Sequence, residues 1–174
     1  MRDALNSTGR PIFYSICNWG FESTANWAPE VGNSWRTTGD IRDSYESMMN
    51  NFFFNDKDIV AASPGGWNDP DMLEVGNGNM THDEEKTHFT LWTFAKAPLI
   101  LGADLTKISQ DSLTVISNTD LIEINQNPNL PQAHCVVGCG TGKVQVFVTK
   151  QPNVQESYAA VINTANDTVH NFFF

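Results

Sequence analysis

Basic residues are scarce in this 174-residue chain: 10 Lys and Arg stand against 20 Asp and Glu, for a net charge near −10. Nucleic-acid affinity comes largely from basic contacts to phosphates. With no Lys/Arg run present, a DNA or RNA partner is not expected. Long apolar runs are missing too. The longest, such as Ala97 to Leu101, fall far short of the ~20 residues a membrane-spanning helix needs, so no membrane partner is expected. Gly65, Gly66, Gly76 and Gly78 follow neither the Gly-x-Gly-x-x-Gly pattern nor a Gly-Lys-Ser/Thr ending, which argues against a nucleotide cofactor. Cysteines number three, without a second Cys or His pair at ligand spacing, so neither a metal nor any other cofactor is expected. His82, His88, His134 and His170 are isolated in the sequence, no nucleophile elbow accompanies them, and surface or structural roles are expected for all four.

Apolar material is plentiful. Hydrophobic residues make up 40 % of the chain, with five Trp and eleven Phe, enough for a packed core in one ordinary domain. The start, MRDALNSTGRP, has no signal-peptide pattern and reads as the last turn of a helix, while TVHNFFF at the other end reads as an interrupted strand. Both ends therefore look cut. Sequons at Asn6, Asn79 and Asn166 shift the expectation mildly toward a secreted glycoprotein. Cys135 and Cys139 span CVVGC, compatible with a small disulfide loop or with two free thiols, and Cys17 is left over.

Along the chain, strand-like and helix-like patterns alternate. PIFYSICNW, Pro11 to Trp19, is apolar and barely alternating, as in a strand buried on both faces. Ile41, Tyr45, Met48, Met49 and Phe52 trace one face of a helix. DIVAASPGG reads as a third strand, ahead of the polar loop WNDPDMLEVGNGN. Thr81 and Glu84 form a candidate capping box before a helix with Phe89, Trp92 and Phe94, and APLILGADL reads as a fourth buried strand. This order implies about four βα units and a parallel sheet, half of an eight-stranded barrel. After NQNPNLPQ the texture changes to VQVFV, SYAAVIN and TVHNFFF, short runs of strand type that suggest an antiparallel unit.

Asp40, ending WRTTGD, and Asp71, in GGWNDPDML, fall at successive strand ends in this reading, where carboxylates serve as general acids, bases or nucleophiles. On spacing alone Asp40 could equally cap the following helix, and the cap is the commoner fate. Arg36, four residues before Asp40, could pair with a carboxylate or donate to a substrate hydroxyl. Trp19, Trp27, Trp35 and Trp67 lie in expected βα loops, where indoles suit the C–H face of a sugar or simply fill loop core.

Taken together, GRPIFYSICNWG, SWRTTGDI, SPGGWNDPDMLEVGN, APLILGADL and LIEINQNP resemble, in order and spacing, the second half of the catalytic barrel of glycoside hydrolase family 27, the α-galactosidase and α-N-acetylgalactosaminidase family. The resemblance implies an α/β fold with the C-terminal half of a TIM (β/α)8 barrel over 1–130 and the start of an antiparallel β-sandwich domain over 131–174. It implies a retaining hydrolase of α-galactosides that uses two aspartates. Asp40, in the W-R-x-x-x-D-I context, would be the acid/base, overriding the cap. Arg36, Asp71 and Met72 would bind the sugar, and Cys17 and Trp19 would face the substituent at carbon 2. The bulk of Trp19 implies a tight 2-hydroxyl site, and hence an α-galactosidase rather than an α-N-acetylgalactosaminidase; a β-L-arabinopyranosidase differs mainly at carbon 5.

The family's nucleophile lies in a Lys-x-Asp-Asn-Cys type segment, and none occurs among these 174 residues. The chain alone is therefore expected not to turn over, and a non-catalytic carbohydrate-binding or structural remnant is the competing reading.

Overall fold

A computed structural model describes residues 1–140, 142–152 and 157–165. The strand expected in TVHNFFF, His170 and the sequon at Asn166 lie outside the described residues. A short helix α1 (Arg2–Asn6) leads to a parallel sheet of three strands, β1 (Ser15–Ile16), β2 (Ser34–Arg36) and β3 (Trp67–Asp69), in that spatial order. Two 3-10 turns, Thr24–Asn26 and Ala28–Glu30, connect β1 to β2. Helix α2 (Tyr45–Asn55) and a 3-10 segment, Asp56–Ala61, connect β2 to β3. Helices α3 (His82–Phe94), α4 (Gln110–Ile116) and α5 (Thr119–Gln126) follow, and then an antiparallel sheet of β4 (His134–Val137), β5 (Val144–Lys150) and β6 (Ser157–Asn163).

The helices begin where side-chain chemistry allows. Ser44 caps α2 by accepting from the Ser47 N–H at 3.3 Å. Thr81 and Glu84 close the expected capping box on α3, each satisfying one N–H that the helix itself cannot. Both helices turn their apolar faces into one core. Met48, Met49 and Phe52 of α2 meet Phe89, Leu91, Trp92 and Phe94 of α3. Phe147, Ala160 and Ile162 of the antiparallel sheet join the same cluster, with Phe52 and Phe147 edge to face at 5.0 Å. No described helix is long and apolar enough to cross a membrane.

Three strand expectations change. Only Ile16 is buried between Pro11 and Trp19, and the strand there is only two residues long, Ser15–Ile16, paired with β2 among the described residues. DIVAASPGG is not the third strand. Asp56, at the C-terminal end of α2, is still right-handed helical, so the chain runs straight into 3-10 turns, and the strand forms at Trp67–Asp69 instead. Gly66 makes that possible: a Cβ there would lie 2.8 Å from the Trp35 ring, so only glycine lets β3 approach β2. The fourth strand reduces to one parallel bridge, Leu73 to Leu101, closed by Leu73 N–H to Ile100 O and Gly102 N–H to Leu73 O, both 2.8 Å. Ile100 itself is exposed.

His88 of α3 is completely buried, as the structural reading of the histidines expects. Its Nε2 accepts from the Glu74 N–H at 3.0 Å and its ring stands edge-on to Trp92. An accepting Nε2 requires the neutral ring, and burial pushes the pKa down from 6.5 to about 3. Because the folded pKa is depressed, the unfolded chain binds the extra proton first. The stabilisation is complete above about pH 6.5 and is lost as pH falls toward 3. Thermal melts at pH 7, 5 and 4 should show a smaller acid-induced fall in Tm for His88→Gln than for the parent; an equal fall would exclude His88 as an acid trigger.

Candidate active site

Parallel strands bring their C-terminal ends to one edge, where open α/β sheets place ligands. Arg36 is the last residue of β2 and Asp69 the last of β3, with Asp71 two residues further on. The buried guanidinium of Arg36 uses a single atom, Nη2, on three acceptors: Asp71 Oδ2 at 2.8 Å, Asp40 Oδ1 at 3.2 Å and Thr38 O at 3.2 Å. Arg36 Nε is buried with no hydrogen-bond partner. Arg36, Asp40 and Asp71, which the sequence places 35 residues apart, thus form one cluster.

The two carboxylates differ in surroundings. Asp71 is buried and saturated: Oδ2 also accepts from the Ile41 N–H at 2.9 Å, and Oδ1 accepts from the Met72 N–H at 2.8 Å. A carboxylate so engaged is a poor nucleophile but a firm anchor. The Asp40 side chain is 72 % exposed. Since Ser44 caps α2, Asp40 is not tied up as its helix cap and keeps one oxygen outside the Arg36 contact.

Asp71 sits at φ +90°, a region that costs a residue with a Cβ on the order of 1–3 kcal/mol. Three bonds hold it there. Asp69 Oδ1 accepts the Asp71 N–H at 2.9 Å, Trp92 Nε1 donates to the Asp71 carbonyl at 2.7 Å, and the Met72 N–H returns to Asp71 Oδ1. Asp69 was missed by sequence reasoning, although Asp-Pro-Asp carries the signal of a side chain that bonds the backbone two residues on. Burial pushes the Asp69 carboxyl above its usual range, against the opposing pull of the Asp71 N–H and Arg36.

Cys17 and Trp19 stand one strand over, past the end of β1. Cys17 is an exposed free thiol and Trp19 is 49 % exposed. They do not share a face by strand alternation, because β1 ends at Ile16 and Trp19 turns left-handed at φ +60°. Their link to the cluster is Gly20, on which a Cβ would lie 2.4 Å from the Thr37 carbonyl, next to Arg36. Met72 follows Asp71 and is exposed. Of the other tryptophans expected in loops, two lie in strands instead, Trp35 in β2 and Trp67 at the start of β3; Trp35 is wholly buried and donates to Asn68 Oδ1 at 2.6 Å, so it is core. Trp67 is half-buried and Trp27 is 36 % exposed. Cys135 and Cys139 form a disulfide. Among the described residues no group of three or more His, Cys, Asp or Glu could hold a metal ion.

The family model described as Melibiase_2, Alpha galactosidase A, matches residues 1–127. Alpha-galactosidase 3 of Arabidopsis thaliana is 54 % identical over 128 residues, covering 74 % of this chain and 29 % of that protein. Among solved structures, alpha-galactosidase I from Mortierella vinacea has a TM-score of 0.84 at 34 % identity, over 94 % of this chain and 45 % of its own. The alfa-galactosidase of Saccharomyces cerevisiae has a TM-score of 0.82 at 35 % identity, over 94 % and 42 %. The chain thus spans less than half the length of these relatives. With the family model covering most of its length and an α/β fold that matches part of the solved enzymes, this chain belongs to the glycoside hydrolase family 27 α-galactosidases.

Proposed function

We propose that these 174 residues supply the later half of the (β/α)8 barrel of a retaining α-galactosidase over 1–130, and the beginning of an antiparallel β-domain over 131–174. The observation that carries this reading is the asymmetry of the two carboxylates at one strand-end edge. Asp40 is solvent-facing and steered by Arg36, as suits a group that gives a proton to a leaving oxygen and later takes one from water. Asp71 is locked by Arg36 and two backbone amides, as suits a residue that positions rather than reacts. Arg36, Asp71 and Met72 line the sugar site, and Cys17 and Trp19 bound it near carbon 2. The nucleophile belongs to a segment of Lys-x-Asp-Asn-Cys type outside these residues. The Cys135–Cys139 disulfide and the exposed sequons at Asn6 and Asn79 support extracellular residence.

Substrate choice tests this reading in the complete product of the gene. An exposed indole on a turn fixed by Gly20 occupies the volume a 2-acetamido group needs. The enzyme should hydrolyse aryl α-galactosides and discriminate against the corresponding α-N-acetylgalactosaminides by roughly 100-fold or more in kcat/KM. Trp19→Ala should narrow that gap while raising KM for the galactoside. Comparable kcat/KM on both substrates for the parent enzyme would remove Trp19 as the gate.

A further inference from the structure

Asn51 lies in α2 between the core residues Met48 and Phe52 and is itself buried. An amide in such surroundings costs free energy unless its hydrogens are bonded. The Asn51 Nδ2 donates to two carbonyls, Gly39 O at 3.2 Å and Pro70 O at 2.9 Å. Gly39 is joined through its carbonyl to Asp40, and Pro70 through its carbonyl to Asp71. One nitrogen thus holds the peptide group in front of each carboxylate residue of the cluster.

The sheet cannot make this tie. The β2–β3 ladder ends with Arg36 opposite Asp69, the Thr37 N–H adds one bond to Asp69 O at 3.0 Å, and both chains then leave their strands. Two carbonyls do not pair with each other. Joining them takes a donor with two hydrogens, and a primary amide carries both on one nitrogen. Asn55, one turn further along α2, reinforces the tie by accepting from Thr37 Oγ1 at 2.7 Å. On the other side of Asp40, the Ile41 N–H donates to Asp71 Oδ2 at 2.9 Å. The main chain of Asp40 is therefore bracketed, by Asn51 before it and by Asp71 after it.

We propose that Asn51 is a positioning residue: through Gly39 and Pro70 it sets where the proton-transferring carboxylate of Asp40 stands relative to the sugar anchor formed by Arg36 and Asp71. This rests on the reading of Asp40 given above. A side chain that only satisfied two loop carbonyls would stabilise the fold without favouring one substrate over another. A group that places the proton donor matters most where the leaving oxygen needs a proton.

The test compares kcat/KM of the complete gene product on methyl α-galactoside and on dinitrophenyl α-galactoside, whose leaving group needs no proton. Partial unfolding lowers both values alike and leaves their ratio unchanged. Asn51→Ala removes both donors and keeps a good helix former, and it should lower the methyl-to-dinitrophenyl ratio roughly tenfold. Asn51→Ser, with one hydroxyl hydrogen, should lower the ratio less, and it decides alone if Asn51→Ala does not fold. Asp40→Asn by itself should lower the ratio by about 10²-fold or more. Adding Asn51→Ala to it should bring no further fall, because Asn51 acts through Asp40. An unchanged ratio in the folded Asn51 variants, or a further fall of the same size on the Asp40→Asn background, overturns the proposal and leaves Asn51 a structural residue. An unchanged ratio in Asp40→Asn is the separate failure of the acid/base reading and removes the proposal with it.

Discussion

Replacing Asp40 by Asn in the complete gene product lowers turnover on alkyl and disaccharide α-galactosides by about 10²–10⁴-fold, the range that a positioned acid/base contributes. Asn keeps the size of the side chain and an oxygen for Arg36 Nη2, so the cluster retains its geometry while the transferable proton is gone. The loss depends on the leaving group. A dinitrophenolate departs without protonation, so formation of the glycosyl-enzyme on such substrates is largely spared and its hydrolysis, which needs the base, becomes limiting. Azide, a nucleophile that needs no base, restores release as the galactosyl azide of retained configuration. An equal loss on every substrate with no response to azide would leave Asp40 with only its structural contact to Arg36.

Replacing Arg36 by Met has the largest expected effect on stability. The guanidinium and the Asp71 carboxylate are each about nine-tenths buried, and breaking such a pair by removing one partner costs on the order of 3–5 kcal/mol because a buried charge is left behind. Asp71 would retain its bonds from the Ile41 and Met72 amides, which places the cost toward the lower end. Urea unfolding of the variant should show that loss with an unchanged m-value. The double variant Arg36→Met/Asp71→Asn, which removes both charges while Asn tolerates the positive φ and keeps an acceptor oxygen for the neighbouring amides, should be more stable than Arg36→Met alone, and both should be inactive. A double variant as unstable as the sum of the single ones would mean that the two groups act independently.

The parts of the fold that sequence made legible are those set by local chemistry. The box Thr81/Glu84 and the apolar face from Met48 to Phe52 fix α3 and α2 without reference to distant residues. VQVFV and SYAAVIN become β5 and β6 because their β-branched and aromatic residues pair with each other. What failed depended on partners. Pro11 to Trp19 has the composition of a doubly buried strand, but burial needs a packed layer on each face, and within the described residues only Ile16 of this stretch is buried. The boundary of β3 was displaced because the start of that strand is decided by a glycine against the Trp35 ring, a contact 31 residues away in sequence. At the site, motif context singled out Arg36, Asp40 and Asp71. Their convergence on one guanidinium nitrogen, and the part Asp69 plays in holding Asp71 at a positive φ, follow only from the register of β2 against β3, which pairs Arg36 with Asp69.

The division of labour between a proton-transferring Asp40 and a nucleophile supplied from elsewhere is tested most directly by assaying the 174-residue chain alone. The measurement is release of nitrophenol from 4-nitrophenyl α-galactoside by chain shown to be folded by a cooperative thermal transition. No release above that of buffer is predicted, because protonation of the leaving oxygen without a carboxylate on the opposite face gives no glycosyl-enzyme. Turnover that survives purification, scales with one site per chain and disappears in Asp40→Asn would contradict the account.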